Sequence, residues 1–333
     1  MKAAVYPGNG AAMVIETRPD PEPLPGELLI RVHRCGICGT DLHMTEGHDF
    51  QFPANSVPGH EYAGEVIALG KDVTDWKIGD KLTALPSTGC GQCVACQHGN
   101  WVLCHNAPGL MGGFAEYMRV PTGSAVRLPG AFSLGDGALI EPLAVGRYGV
   151  RQAAIGPETR VLVLGGGTVA LCAIWWARVF GAGKIVAMSR SLRRAELALA
   201  MGAGAFVQFG ENETAEIVEA LGGAPDVVFE CVGNPGYLAK GVEHVAKFGE
   251  VISMGFCTAP DQIVPARAAF KAATLRFPVG YALADFTASL DQLEHGHADP
   301  AMLVTSVVGL DQLPETFAML RAPNRETKVQ VAI

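Results

Sequence analysis

Val161-Leu162-Val163-Leu164-Gly165-Gly166-Gly167-Thr168-Val169-Ala170 carries a short apolar strand into a glycine turn and on into a helix. Four aliphatic residues in a row suit a strand buried on both faces. The turn matches G-x-G-x-x-[G/A]. Gly165 permits the tight turn, Gly167 lets a pyrophosphate approach the backbone, and Ala170 keeps the helix close to the sheet. The helix start at Thr168 and Val169 offers free N–H groups and a positive dipole end to phosphates. The stretch Val161 to Ala177 is apolar enough to imitate a membrane span. It carries three glycines near its middle and Arg178 at its end, so a strand, a turn and a buried helix explain it.

Outward from this turn the pattern repeats. Strands are expected at 184–188, 206–208, 226–231 and 250–254, with helices at 193–201, 214–221 and 237–247 between them. Such alternation is the signature of a parallel sheet with helices on both faces. Cofactor contacts are expected where its strands end, at Val232 and at Gly255-Phe256. The end of the second strand is informative. Sheets of this type that bind NAD place Asp or Glu there, about 20 residues past the glycine turn, to hold the ribose 2′-OH. Here Ser189 and Arg190 occupy that place, and no carboxylate lies between Lys184 and Arg194. A serine accepts a 2′-phosphate that an aspartate repels; Arg190 pairs with it, and Arg194 adds positive charge. NADP is therefore expected in preference to NAD.

N-terminal to the turn the chain reads as strand and loop, with strands at 27–33, 61–69, 81–85 and 114–120. Cys90, Cys93, Cys96 and Cys104 interrupt it as C-x2-C-x2-C-x7-C. Four thiolates at that spacing surround one tetrahedral Zn²⁺ and leave no position open to substrate, so the site is structural. The surrounding lobe, 86–105, has too little apolar content to fold without metal. A second group of metal-ligating types is spread more widely. It comprises Cys38 in Cys35-Gly36-Ile37-Cys38-Gly39-Thr40-Asp41-Leu42-His43, His60 and Glu61 in Gly59-His60-Glu61, and Glu141 in Glu141-Pro142. A catalytic zinc wants three protein ligands and one open position. Cys38, His60 and either Glu61 or Glu141 supply them. Cys35 is read as a buried thiol, and His295-Gly296-His297 as a solvated turn.

Composition narrows the partners. The chain has 333 residues, is 49% hydrophobic and carries a formal charge of −8. Its pI near 5.6 gives no basis for binding nucleic acid or an anionic membrane. Nine cysteines without a signal-peptide pattern fit a reducing compartment, the cytoplasm, where thiols bind metal.

These motifs, with Gly113-Phe114-Ala115-Glu116-Tyr117 and Ile140-Glu141-Pro142-Leu143, make the chain resemble the zinc-dependent medium-chain dehydrogenases/reductases. This is the alcohol dehydrogenase superfamily, and the match is nearest the polyol branch of sorbitol and threonine dehydrogenases. The resemblance runs essentially end to end. It implies an α/β plus β fold: a GroES-like β-barrel catalytic domain over 1–142, an inserted doubly wound Rossmann domain over 143–276, and a return segment over 277–333 that completes the barrel. It places the active site in the cleft between them.

By resemblance, Cys38 and His60 are catalytic zinc ligands, Glu141 matches the carboxylate of the polyol branch, and Glu61 coordinates directly or through water. Asp41 orients the histidine ligand. Thr40 and His43 form a proton relay. Two Zn²⁺ per subunit, one catalytic and one structural, a small alcohol or ketone substrate, and a homo-dimer or homo-tetramer are also implied. Four positions depart from patterns of the family: Gly39 stands where animal alcohol dehydrogenases have a pyrophosphate-binding arginine, though glycine is common there in the polyol branch, and Thr168 replaces a proline, Ala170 the third glycine and Ser189 the NAD-type aspartate. The expected activity is hydride transfer between a secondary alcohol or polyol and NADP. An NAD-dependent polyol dehydrogenase is the second reading, and a non-catalytic, zinc-stabilised redox sensor the third. The sensor would lack a zinc ligand or relay residue, and none is missing here.

Overall fold

A computed structural model of the protein describes residues 1–47, 50–106, 109–295 and 299–333. Gly296 and His297 of the expected solvated turn lie outside the described residues. The chain divides into two units, Met1–Ala144 with Tyr281–Ile333, and Val145–Gly280.

The first unit begins with an antiparallel pair, β1 (Lys2–Val5) and β2 (Val14–Thr17). It continues through β3 (Glu27–Gly36), β4 (Glu61–Leu69), β5 (Lys81–Ala84), β6 (Tyr117–Pro121) and β7 (Ala125–Arg127). The strand expected from Phe114 begins only at Tyr117. Leu28, Ile30 and Val32 recur with period two along β3 and bury completely, which fixes the face that β3 turns to the core.

The second unit is a parallel sheet of β8 (Arg160–Leu164), β9 (Lys184–Ser189), β10 (Ala205–Gln208), β11 (Val227–Glu230), β12 (Glu250–Ser253) and β13 (Thr274–Arg276). Its order is β10-β9-β8-β11-β12-β13, and every neighbouring pair is parallel. The order reverses between β8 and β11. Ligands of open α/β sheets bind at such a switch point, beyond the carboxyl ends of the strands. The helix Thr168–Val179 is buried from Ala170 to Ala177, with Trp175 and Trp176 among its core residues. That burial accounts for the apolarity that imitates a membrane span. Among the described residues, no helix is long and apolar enough to cross a membrane.

The chain then returns to the first unit through the helix Leu283–His295, β14 (Val304–Gly309), the helix Leu313–Arg321 and β15 (Lys328–Ala332). β15 pairs antiparallel with the C-terminal half of β3, at Arg34–Gly36, while β6 pairs with its N-terminal half, at Glu27–Arg31. This last strand therefore runs beside the residues that lead into Cys38.

Candidate active site

β3 ends at Gly36, and the next residues are held on both sides. The Ile37 N–H donates to Val329 O at 2.9 Å, and Lys328 Nζ donates to Ile37 O at 3.0 Å. Cys38 then precedes the short helix Gly39–His43. Asp41, wholly buried in that helix, reaches back so that its Oδ2 accepts from the Cys38 N–H at 2.9 Å. Its Oδ1 lies 3.3 Å from His60 Nδ1. One carboxylate thus accepts from the Cys38 backbone and lies beside the Nδ1 edge of His60, so Nε2 would be the nitrogen left for a metal.

His60 and Glu61 are set by Gly59, whose φ of +93° strains any other residue. A Cβ there would also lie 2.8 Å from Phe114 N, so Gly59 is constrained twice. Cys38 Sγ, a His60 ring nitrogen and a Glu61 carboxylate oxygen all lie within 4.8 Å of one another. A thiolate, an imidazole and a carboxylate are the donor types that zinc takes, and their convergence fits the group. Burial by itself lowers the His60 pKa, but Asp41 and Cys38 outweigh it, and the net shift is well upward. A proton and a metal compete for this site.

Three neighbours of the cluster carry no signal in the sequence. Lys328, on β15, donates to both Glu61 oxygens at 2.6 Å, and both side chains are buried. Burial lowers the lysine pKa, but the Glu61 and Cys38 charges reverse this, so the net shift is upward and the ammonium stays charged. Tyr281 donates its hydroxyl to Glu141 Oε1. Glu141 stands outside the triplet of converging ligand atoms but feels it. Burial raises its carboxyl to about 7, with Glu61 adding to the rise and His60, Tyr281 and Lys328 opposing it. Gly36 is the third such residue, for a Cβ there would lie 2.0 Å from Glu61 Oε2. Of the relay candidates, Thr40 is half-buried and His43 exposed, its Nδ1 3.6 Å from Glu46. Cys35 is fully buried.

The cysteine lobe folds around its sulfurs. Cys93 Sγ is 3.6 Å from Cys96 Sγ and 3.7 Å from Cys104 Sγ, and Cys90 Sγ is 4.0 Å from Cys96 Sγ. A tetrahedron with Zn–S bonds of about 2.3 Å has edges of about 3.8 Å, so these separations fit one zinc ion. Gly91 and Gly99 turn the chain at φ of +76° and +71°. The N–H groups of Gln92 and Cys93 pull the Cys90 thiol down to about 6, toward the thiolate a metal requires.

In the second unit Gly165 has φ +122°, as the tight turn demands. Gly167 caps the helix Thr168–Val179, and a Cβ on it would meet nothing within 4 Å. Packing therefore does not require glycine there, while an approaching phosphate would. Ser189 ends β9 half-buried, and Arg190 follows it exposed. A Cβ on Gly166 would lie 3.6 Å from Arg194 Cβ and 3.9 Å from Ser189 Cβ, so the loop and both side chains converge. Val232 is half-buried, and Phe256 is exposed beyond β12.

Residues 24–130 match the alcohol dehydrogenase GroES-like domain, and residues 168–295 match the zinc-binding dehydrogenase domain. The sorbitol dehydrogenase of Bacillus subtilis (strain 168) is 33% identical over 77% of this chain and 75% of its own length. The solved 2R,3R-butanediol dehydrogenase of Bacillus subtilis is 30% identical, with a TM-score of 0.88 over 100% of this chain and 99% of that one. A chain from Sinorhizobium meliloti 1021, solved bound to NADP, is 29% identical with a TM-score of 0.90, covering 100% of this chain and 99% of its own.

Proposed function

The protein belongs to the zinc-dependent medium-chain dehydrogenases/reductases of the alcohol dehydrogenase superfamily, and from that premise we propose that it interconverts a secondary alcohol or polyol and the matching ketone with NADP in preference to NAD. The observation that carries the reading is the convergence of Cys38, His60 and Glu61 within 4.8 Å, braced by Asp41 and Lys328. A redox sensor has no use for an open catalytic metal position. The relatives named sorbitol and butanediol dehydrogenase support a vicinal or secondary hydroxyl as the reacting group.

Cys38 and His60 would hold the catalytic zinc, with Glu61 or Glu141 completing the set, and Cys90, Cys93, Cys96 and Cys104 would hold the structural one. When bound, zinc supplies Lewis acidity toward the substrate oxygen and the nicotinamide supplies the hydride acceptor. The chain's own residues do the rest. Asp41 fixes the imidazole of His60. Lys328 restrains the Glu61 carboxylate and offsets its charge. Thr40 Oγ1 would accept the proton of the substrate hydroxyl while giving up its own toward exposed His43 and solvent. Tyr281 donates to Glu141 and holds it beside the cluster as the alternative carboxylate. Gly165, Gly167, Thr168 and Val169 receive the pyrophosphate, and Val232, Gly255 and Phe256 line the rest of the dinucleotide site.

The preference for NADP rests on Ser189, Arg190 and Arg194, and on the lack of a carboxylate between Lys184 and Arg194. Steady-state rates with NAD and NADP test it. The wild type is expected to use NADP better, and Ser189→Asp to reverse the order. Equal use of both, or an unchanged preference in the variant, would overturn this part of the reading.

A further inference from the structure

Glu230 is the last residue of β11, beside the point where the sheet order reverses, and it is 2% exposed. Its carboxylate accepts three hydrogen bonds. Oε1 takes the N–H of Val232 at 2.6 Å and of Gly233 at 2.9 Å, and Oε2 takes the Ser253 hydroxyl at 3.0 Å. Its backbone carbonyl takes the N–H of Met254 at 2.7 Å and of Gly255 at 2.9 Å. One residue therefore ties the loop after β11 to the loop after β12.

The loops also touch directly. Gly233 has φ +72°, and a Cβ on it would lie 2.7 Å from Phe256 N. A Cβ on Gly255 would lie 2.2 Å from Gly233 N and 2.8 Å from Glu230 Oε2. The first glycine of the phosphate turn joins them, since a Cβ on Gly165 would lie 3.2 Å from Val232 Cγ2 and 3.4 Å from Cys231 O. Cys231 N–H donates to Leu164 O at 3.0 Å, which carries the sheet ladder up to the same edge. Three loops that follow β8, β11 and β12 form one wall with Glu230 behind it.

We propose that Glu230 is a positioning residue for dinucleotide binding. It touches no ligand itself; it holds Val232, Gly255 and Phe256 against the phosphate turn before the ligand arrives, so binding does not have to order these loops. The inference rests on the dinucleotide reading above. A buried carboxylate with all its donors in place rigidifies its surroundings; without it the N–H groups of Val232 and Gly233 lose their acceptor and the loop opens to water.

Binding of NADPH and NADH, followed by nicotinamide fluorescence on the zinc-replete protein, tests this together with steady-state KM values. Glu230→Ala is expected to raise the dinucleotide Kd and KM by about tenfold or more, with the alcohol KM unchanged. Glu230→Gln is expected to restore near-wild-type binding, because its Oε1 still accepts both N–H groups and its amide donates to Ser253. Ser253→Ala cuts only the Oε2 contact and is expected to weaken binding by a smaller factor; it decides the matter if Glu230→Ala does not fold. Wild-type affinity in Glu230→Ala or Ser253→Ala would overturn the inference, and so would a Glu230→Gln variant as weak as the alanine. If the wild type binds neither dinucleotide, the functional reading fails and takes this inference with it. If the wild type binds and the variants match it, the inference alone fails.

Discussion

Gly36 lacks a side chain, and the Glu61 carboxylate fills the space, with Oε2 at 2.0 Å from where a Cβ would stand. Gly36→Ala must push that carboxylate away and loosen its pairing with Lys328. Partners around metal ligands typically contribute about 10–100-fold in affinity or activity. Turnover and affinity for the more labile zinc, measured by metal titration, are expected to fall together by about that factor. An alanine variant with wild-type zinc affinity and rate would contradict the placement of Glu61. Residues of this kind also show where sequence reading stops. Cys38, His60 and Glu61 stand out because each is a ligand type in a short, turn-rich run. Lys328 meets Glu61 across 267 residues, and Tyr281 meets Glu141 across 140. A lone lysine at the head of an apolar strand reads as a solvated end, and no local pattern says that its ammonium is buried.

At the scale of elements, the cysteine lobe contributes little packing of its own. Its helix Val94–Gln97 is four residues long and has no buried member. Its order depends on the four sulfurs, so Cys96→Ser is expected to lower melting temperature and soluble yield. An unchanged melting temperature would argue against a structural ion.

A second prediction lies between the helices Glu213–Leu221 and Tyr237–His244. His244 is buried at the end of the second, with Nε2 3.3 Å from Glu213 Oε1, and Lys240 pairs with the same carboxylate. Burial lowers the His244 pKa, more than Glu213 and Glu243 raise it, and Lys240 lowers it further. Glu213 is raised by burial, but Lys240 and the Gly210 N–H outweigh this and leave it lowered. A histidine lowered in the folded state takes up its proton first in the unfolded chain. Its contribution to stability is thus complete above the unfolded value of about 6.5 and is lost as pH falls below it. His244→Gln is expected to flatten the fall in melting temperature between neutral and mildly acidic pH. A variant with the wild-type pH slope would contradict this.

The regular elements were legible where periodicity was clean, as in β4 and in the alternation from β8 to β12. The helix Leu134–Val150 was not. Gly135, Gly137, Gly146 and Gly149 and an internal Pro142 weaken its helical signature. Three of these glycines serve packing instead, since a Cβ on Gly137 would lie 2.6 Å from Leu128 Cδ1, one on Gly146 2.6 Å from Cys172 Cβ and one on Gly149 2.3 Å from Met254 Cε. β14 was missed because its parallel partner, β15, lies beyond an intervening helix. Non-local pairing leaves little trace in a short window.

At the scale of the whole molecule, two units with separate hydrophobic cores divide the work. One gathers the metal-ligating residues, and the other presents the glycine turn at the switch point of a parallel sheet. The strand-rich and alternating parts could be told apart in sequence because their apolar periods differ. The return of the tail was legible only by resemblance, since β15 earns its place by pairing with a strand near the opposite end of the chain.

Both units serve one proposed reaction, a zinc-dependent exchange of hydride between a secondary alcohol and a nicotinamide dinucleotide. Its most direct test is the change in nicotinamide absorbance when zinc-replete protein meets polyols and secondary alcohols with NADP or NAD, beside the Cys38→Ala variant. The wild type is expected to reduce the dinucleotide, faster with NADP, and a folded Cys38→Ala to reduce none. A fully active Cys38→Ala would contradict it.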